Sequence, residues 1–192
     1  METQTTQTYV IWTETWEEEH LVEFLGNTVL QRDTVADTKI YVPKKKKLMR
    51  GPKGWAEVED ILFPSYVFLD TADIMTVYDQ LTSAPSIKTF YRMLGTETDE
   101  IRTVTASEKL WINHILGDEK IAGVSKGSKD GKTITFISGP LVGLEAFVKF
   151  VDRHHRYAEL EMDFFGGKRR IQLPVDVMNK TAVEKEEHPV GD

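Results

Sequence analysis

From Tyr157 to Asp163 apolar and acidic side chains alternate: Ala158, Leu160 and Met162 fall on one parity, Glu159, Glu161 and Asp163 on the other. Only a strand with one face on a core and one in water satisfies that pattern, because successive side chains of an extended chain point to opposite faces. The same period recurs nearby. Ile134 and Phe136 share a face, Ala146, Val148 and Phe150 share another, and Ile171 and Leu173 flank Gln172. Turns are expected at Gly139-Pro140, at Asp152 to Arg156 and at Gly166-Gly167. Four or five short strands within residues 132–178 would leave exposed edges in an open sheet, so this region is expected to close into a small all-β barrel.

The first half of the chain has a different rhythm. Tyr9 to Trp12 is a β-prone run, and Thr15 and Glu18 after it have the spacing of a capping box, which predicts a helix over about Trp16 to Leu25. Its stripe would hold Trp16, Leu21, Phe24 and Leu25, and Gly26-Asn27 would stop it. A strand at Lys39 to Val42 leads to Lys44-Lys45-Lys46-Lys47, Leu48, Met49 and Arg50. The breaker Gly51 to Gly54 and the return Trp55 to Asp60 make this a basic β-hairpin. Ile61 to Asp70 reads as one apolar strand, with Tyr66 and Phe68 on one face and Val67 and Leu69 on the other. Ile74, Val77, Tyr78 and Leu81 have helical spacing after Asp70 and Thr71 as capping candidates. Ile87 to Tyr91 reads as a further strand, and Thr105 to Glu108 is a second capping box, opening a helix that runs to Gly117. Strands alternating with helices predict an α+β domain over 9–117, behind a polar tail at 1–8. Residues 118–131 hold four-glycine linker chemistry together with Gly117, 132–180 form the second domain, and 181–192 read as a disordered acidic tail.

Composition removes whole classes of function. The 192 residues contain no Cys, so disulfides, thiolate nucleophiles and Cys-ligated metal sites are absent. There is no G-x-S-x-G, no H-E-x-x-H and no Gly-rich phosphate loop, and neither catalysis nor a cofactor is expected. No apolar run has the length of a membrane span and Met1 to Thr8 is a polar Thr/Gln stretch, which predicts a cytoplasmic protein, taken as a monomer. The net charge of −7 argues against wrapping nucleic acid by bulk charge, so such contact must be local. It can be: residues 132–180 carry eight Lys and Arg against six Asp and Glu.

Two strings carry a resemblance: L-F-P-S-Y-V-F-L at 62–69 after the basic hairpin, and S-G-P-L-V-G-L-E-A-F-V-K-F at 138–150. Together, in this order, they resemble the NusG family of bacterial transcription elongation factors, with an N-terminal domain and a C-terminal SH3-like KOW barrel. The family implies an N-terminal domain that grips the clamp helices of RNA polymerase beside upstream or non-template DNA, and a KOW domain that recruits Rho, a ribosomal protein or another partner. Ser65 stands where the family often has Gly, Thr8 where a Trp usually precedes the Tyr, Trp16 at a small-residue position and Ala146 at the second KOW glycine. With the basic KOW turns, these departures make the chain look most like the specialised LoaP-type antiterminators, whose KOW domain takes structured leader RNA. A general elongation factor and a ribosome-associated KOW protein are the alternatives.

The resemblance assigns polymerase docking to Phe63, Pro64, Tyr66 and Phe68, with Tyr9 and Phe90 at the rim; from the residues alone, core filling is the usual fate of such an apolar strand. Lys44, Lys45, Lys46, Lys47 and Arg50 either touch DNA phosphates or form a solvated hairpin that resists edge pairing. Arg153, His154, His155 and Arg156 are expected to converge with Lys168, Arg169 and Arg170 on two neighbouring turns, either as solvated turns or as an RNA contact where His155, Tyr157 and Phe165 can stack on bases. Phe164 and Phe165 on the same loop are the anchors of the competing protein-partner reading. Asp152, His154 and His155 lack a fourth ligand, and no metal is expected.

Overall fold

The structure, a computed structural model, describes residues 5–28, 38–83, 91–93 and 103–180. Phe90 and the tail 181–192 lie outside the described residues. Contacts divide the chain into two compact units, Met1–Pro43 with Phe63–Leu110, and Lys44–Leu62 with Trp111–Asp192. The basic hairpin therefore belongs with the C-terminal half, not with the α+β domain in which the sequence reading placed it.

The first unit is built on a four-stranded sheet in the order β2-β5-β1-β6, with β1 at Gln7–Thr13, β2 at Lys39–Tyr41, β5 at Tyr66–Thr71 and β6 at Tyr91–Met93. β1 begins inside the segment expected as a polar tail. It pairs antiparallel with β5, Val10 opposite Phe68 and Trp12 opposite Tyr66. Val10, Ile11, Val67, Phe68 and Leu69 are buried along the two central strands, joined by Leu21 and Leu25 from helix α1 (Glu18–Thr28) and Val77 from helix α2 (Ile74–Ser83). Removing a side chain such as Phe68 from water contributes about 2–3 kcal/mol. Buried polar groups on this sheet are paired: the Thr8 hydroxyl donates to Asp70 Oδ1 at 2.6 Å, and Thr38 and Thr71 share a hydrogen bond at 2.8 Å.

Two local expectations fail here for the same reason. Ile61 to Asp70 is not one strand, because Pro64 and Ser65 turn the chain, and Ser65 sits at φ 71°. That turn captures the carboxylate expected to cap α1: Glu18 is buried and its Oε1 accepts the Ser65 N–H at 2.6 Å, while Thr15 bonds the Ser65 hydroxyl at 2.7 Å. The helix starts at Glu18, and Trp16, expected on its apolar stripe, lies outside it and 84% exposed. Asp73, not Asp70 or Thr71, caps α2, accepting the Thr76 N–H at 3.1 Å. The second capping box forms as expected: Glu108 Oε2 accepts both the Thr105 N–H (2.8 Å) and its hydroxyl (2.7 Å) at the start of α3 (Ala106–Leu116).

The second unit holds a five-stranded sheet in the order β10-β11-β12-β8-β9 and a three-stranded sheet in the order β4-β3-β7. Its strands are β3 (Lys44–Gly51), β4 (Gly54–Ile61), β7 (Ile121–Ala122), β8 (Ser125–Asp130), β9 (Thr133–Ser138), β10 (Val148–Asp152), β11 (Tyr157–Phe164) and β12 (Gly167–Asn179). Residues 118–131, expected as a linker, thus supply β7 and β8; β7 pairs parallel with β3 and β8 pairs parallel with the end of β12. The closed barrel is not what the pairing shows: β10 and β9 are the edges of an open order, and β12, thirteen residues long, pairs with β11 through its first part and β8 through its last. Ala158, Leu160, Met162, Ile171 and Leu173 are buried as alternation requires. Ala146 and Phe150 are not on a buried face. A 3-10 turn at Glu145–Phe147 and a register shift between Val148 and Phe150 break the period, so Phe150 is exposed and Leu141 and Leu144 fill the core. Among the described residues no helix is long and apolar enough to cross a membrane.

Candidate nucleic-acid interface

The basic residues of the second unit are not gathered where the sequence reading put them. The turn Arg153 to Arg156 precedes β11, and the Phe165-Gly166 turn follows it; Tyr157 is opposite Pro174 at one end and Phe164 opposite Gly167 at the other. Seven residue steps of strand separate the two turns by about 24 Å, so Arg156 and Lys168 do not converge. Lys168, Arg169 and Arg170 instead run along β12 beside the acidic parity of β11, with Lys168 bonding Asp163 at 3.1 Å and Arg170 within 3.4 Å of Glu159.

What the Arg153 to Arg156 turn does meet is the hairpin. Lys45, Lys46, Lys47 and Leu48 of β3, Asp60 of β4, His155, Arg156 and Tyr157, and Gln172 to Pro174 of β12 line one cleft. Three lysines, an arginine and the Asp60 carboxylate line it, and Lys46 and Arg156 each have a further carboxylate partner, Glu59 and Asp176. Lys45 is half-buried, and that burial lowers its pKa against the opposing pull of Asp60. Lys46 pairs with Glu59 at 3.2 Å and Lys47 with Asp60 at 3.5 Å, while Lys44 lies 3.9 Å from Glu59. Such exposed pairs are worth under about 1 kcal/mol each and yield readily to a phosphate. Arg50 sits at the exposed far end of β3, opposite Trp55.

The turn is a built structure. Asp152 Oδ1 accepts the N–H groups of His154 (2.9 Å) and His155 (2.8 Å), and its Oδ2 meets His155 Nδ1 at 2.8 Å. The bond from the His155 amide, then that from its ring, hold the Asp152 carboxyl below its usual pKa. Asp152 spends both carboxylate oxygens on the turn, and among the described residues no cluster of His, Asp and Glu is placed to hold a metal. Arg156 follows at φ 58°, a left-handed conformation that sends its guanidinium 4.5 Å over the Trp55 ring and 3.0 Å from Asp176. Arg153 is drawn the other way, to Val177 O and Asn179 Oδ1. Trp55 beneath Arg156, and the meeting of Lys45 and Arg156 in one cleft, are what the sequence reading missed; about a hundred residues separate the two segments and no local pattern signals it.

Phe164 is a core residue, packed edge-on against Trp111 of α3 at 5.9 Å, so it is not an exposed anchor; Phe165 leans on it at 4.8 Å, half-buried. In the first unit the expected docking aromatics divide likewise. Tyr9, Phe63 and Phe68 are buried, Phe63 and Tyr41 packing on the Phe68 ring at 5.6 and 5.8 Å. Pro64 is exposed and Tyr66 half-buried. Beside Tyr66 in register stands Trp12, 38% exposed, and Trp16 follows in the adjoining loop. Among the described aromatics of this unit Trp12 and Trp16 are the exposed ones, and Tyr66 is half-buried like Phe24, Tyr41 and Tyr78.

No protein-family model and no curated protein matches this sequence. Among solved structures the chain is similar to NusG of Thermotoga maritima, in a structure concerned with domain interaction in that protein. The likeness has a TM-score of 0.55 at 20% sequence identity and covers 88% of this chain and 94% of that one, so that in fold, over both units, this chain is similar to a NusG protein.

Proposed function

We propose that this chain is a transcription elongation factor of the NusG kind, specialised as a processive antiterminator that joins RNA polymerase through its first unit and leader RNA through its second. The observation that carries the reading is the fold likeness to a NusG protein along 88% of the chain. The basic cleft favours RNA as the second partner. Phosphates are drawn to Lys45, Lys47 and Arg156, and Tyr157 and the His155 ring offer faces on which unpaired bases stack, a contact worth about 1–3 kcal/mol per base. Burial of Phe164 removes one of the two anchors that a Rho or ribosomal-protein contact would use on that loop. Engagement of upstream or non-template DNA falls to Arg50 and the rest of the exposed hairpin end. The clamp stays closed because the factor binds that state more tightly than the open one, which is the only way a ligand shifts such an equilibrium.

Genome-wide occupancy of the tagged protein, scored against RNA polymerase, tests this. Confinement to a few long operons downstream of a shared leader is the expected result. Occupancy that follows polymerase over nearly all genes assigns the general factor instead, and sedimentation with ribosomes rather than polymerase overturns the reading.

A further inference from the structure

Phe150, on the edge strand β10, is 53% exposed beside the cleft of the second unit. A register shift puts it there. Val148 pairs with Leu160, and an unbroken ladder would set Phe150 opposite the buried Ala158; the shift sets it opposite Glu159 instead, on the other face of the sheet. Cross-strand partners share a face, so Phe150, Glu159 and Gln172 form one row and Asp152, Tyr157 and Pro174 the next. Tyr157, Gln172 and Pro174 line the cleft, which places Phe150 at its margin. Its ring stands edge-on to that of Tyr157, with 6.3 Å between centroids and 63° between planes. Across the strands the order runs from Phe150 on β10 through Tyr157 on β11 and Pro174 on β12 to the lysines of β3, which packs against β12. The carboxylate facing Phe150, Glu159, lies within 3.4 Å of Arg170, so the surroundings of the ring carry both signs of charge.

We infer that the cleft takes an unpaired, splayed dinucleotide of RNA, one base lying on Tyr157 and its neighbour on Phe150, with the phosphates toward Lys45, Lys47 and Arg156. The inference rests on the RNA reading above and names the form of RNA that the site accepts. Two rings set 63° apart do not both lie flat against one continuous stack of bases, so the bases they receive are unstacked from each other. A base inside an A-form helix is stacked above and below, and its faces are closed to both rings, whereas loop and bulge nucleotides offer theirs. The β-bulge is what makes the second ring available: it re-aims a phenylalanine that strand alternation alone would send into the core.

The test is binding of the full chain to a random-sequence pool of RNA dodecamers and to the same pool annealed to its complement, at several salt concentrations. The single strands are expected to bind the more tightly. Phe150→Ala is expected to weaken their binding about tenfold with the salt slope unchanged, because it removes a stacking face and no charge. Phe150→Tyr keeps a ring and should stay within about twofold of the parent, while Phe150→Leu, apolar but without a ring, should lose about as much as alanine. The side chain is exposed, so melting curves of all three variants should match the parent's. If the wild type binds while Phe150→Ala binds as tightly, or Phe150→Leu binds as well as Phe150→Tyr, or the duplex is held as firmly as the single strand, the inference falls and the RNA reading stands. A wild type that binds neither pool overturns the RNA reading itself.

Discussion

Ser65 shows how one side chain can reorganise its neighbourhood. At φ 71° it occupies a conformation that glycine adopts without cost, and it is kept there by Glu18 on its amide and by Thr15 on its hydroxyl. Ser65→Gly is expected to leave stability within about 0.5 kcal/mol of the parent, the relieved strain offsetting the lost hydroxyl bond and the freer unfolded chain. Ser65→Val, β-branched at positive φ, should cost about 2 kcal/mol, read from urea denaturation. Gly139 is the stricter case. At φ 90°, a Cβ there would lie 2.6 Å from Ser125 Cα and 2.7 Å from Val124 O, both backbone atoms that cannot move aside. Gly139→Ala should therefore cost about 3 kcal/mol or more, strain and overlap together, and an unchanged melting temperature would contradict so close an approach of the two backbones. The reading of Thr15 and Glu18 as a capping pair failed at this same scale. The spacing was right, but a buried N–H on Ser65, fifty residues from Thr15, outcompeted the helix end for the carboxylate.

Elements were legible where their stabilising groups are local. Thr105 and Glu108 lie within one turn of each other, and the hairpin of β3 and β4 closes on its own Gly51 to Gly54 breaker, so both were readable from spacing. Periodicity misled where an irregular piece intervened, as at the 3-10 turn before β10. It was silent about which end of a strand a turn falls on, which is why two basic turns at opposite ends of β11 read as neighbours. That correction changes what substitution should do. Arg156→Ala is expected to weaken leader-RNA binding about tenfold, since it removes a charge from the cleft, whereas Arg169→Ala should leave affinity within about twofold. Equal loss from both would restore the two-turn site. Lys45 adds a pH signature. Burial lowers its pKa, Asp60 opposes that and Lys47 adds to it, and Lys46, His155, Arg156 and Tyr157 are the other charged or titratable groups of the cleft. Phosphate binding requires the charged form, so affinity is whole below the lowered pKa and falls as pH rises through it, ahead of an ordinary lysine. Lys45→Arg, which does not deprotonate, should shift that decline to higher pH, as measured by filter binding.

At the scale of the whole molecule, the proposed division of labour follows the charge. The stretch that opens the first unit is acidic and aromatic, whereas lysines and arginine line the cleft of the second, and under the proposed function the two would select different classes of partner. Mixed helices and strands in the first half and short alternating strands in the second were legible, but not the assignment of the hairpin, because pairing of β3 with β7 joins segments far apart in the chain and leaves no trace in local composition. If the surfaces act independently, loss of one partner must not entail loss of the other. Phe63→Ala is unsuitable for showing this, since a buried phenylalanine truncated to alanine costs about 3–5 kcal/mol and threatens the fold. Tyr66→Ala is better placed, half-buried and opposite Trp12 in register. It should lower affinity for RNA polymerase while RNA affinity of the same preparation stays within about twofold of the parent. Lys47→Ala with Arg156→Ala should do the reverse, and only the RNA affinity should lose salt dependence, by about one unit of slope for each phosphate contact removed. A variant that loses both partners with its melting curve intact would mean that the two surfaces are coupled, and the factor would then have to be understood as a single switch.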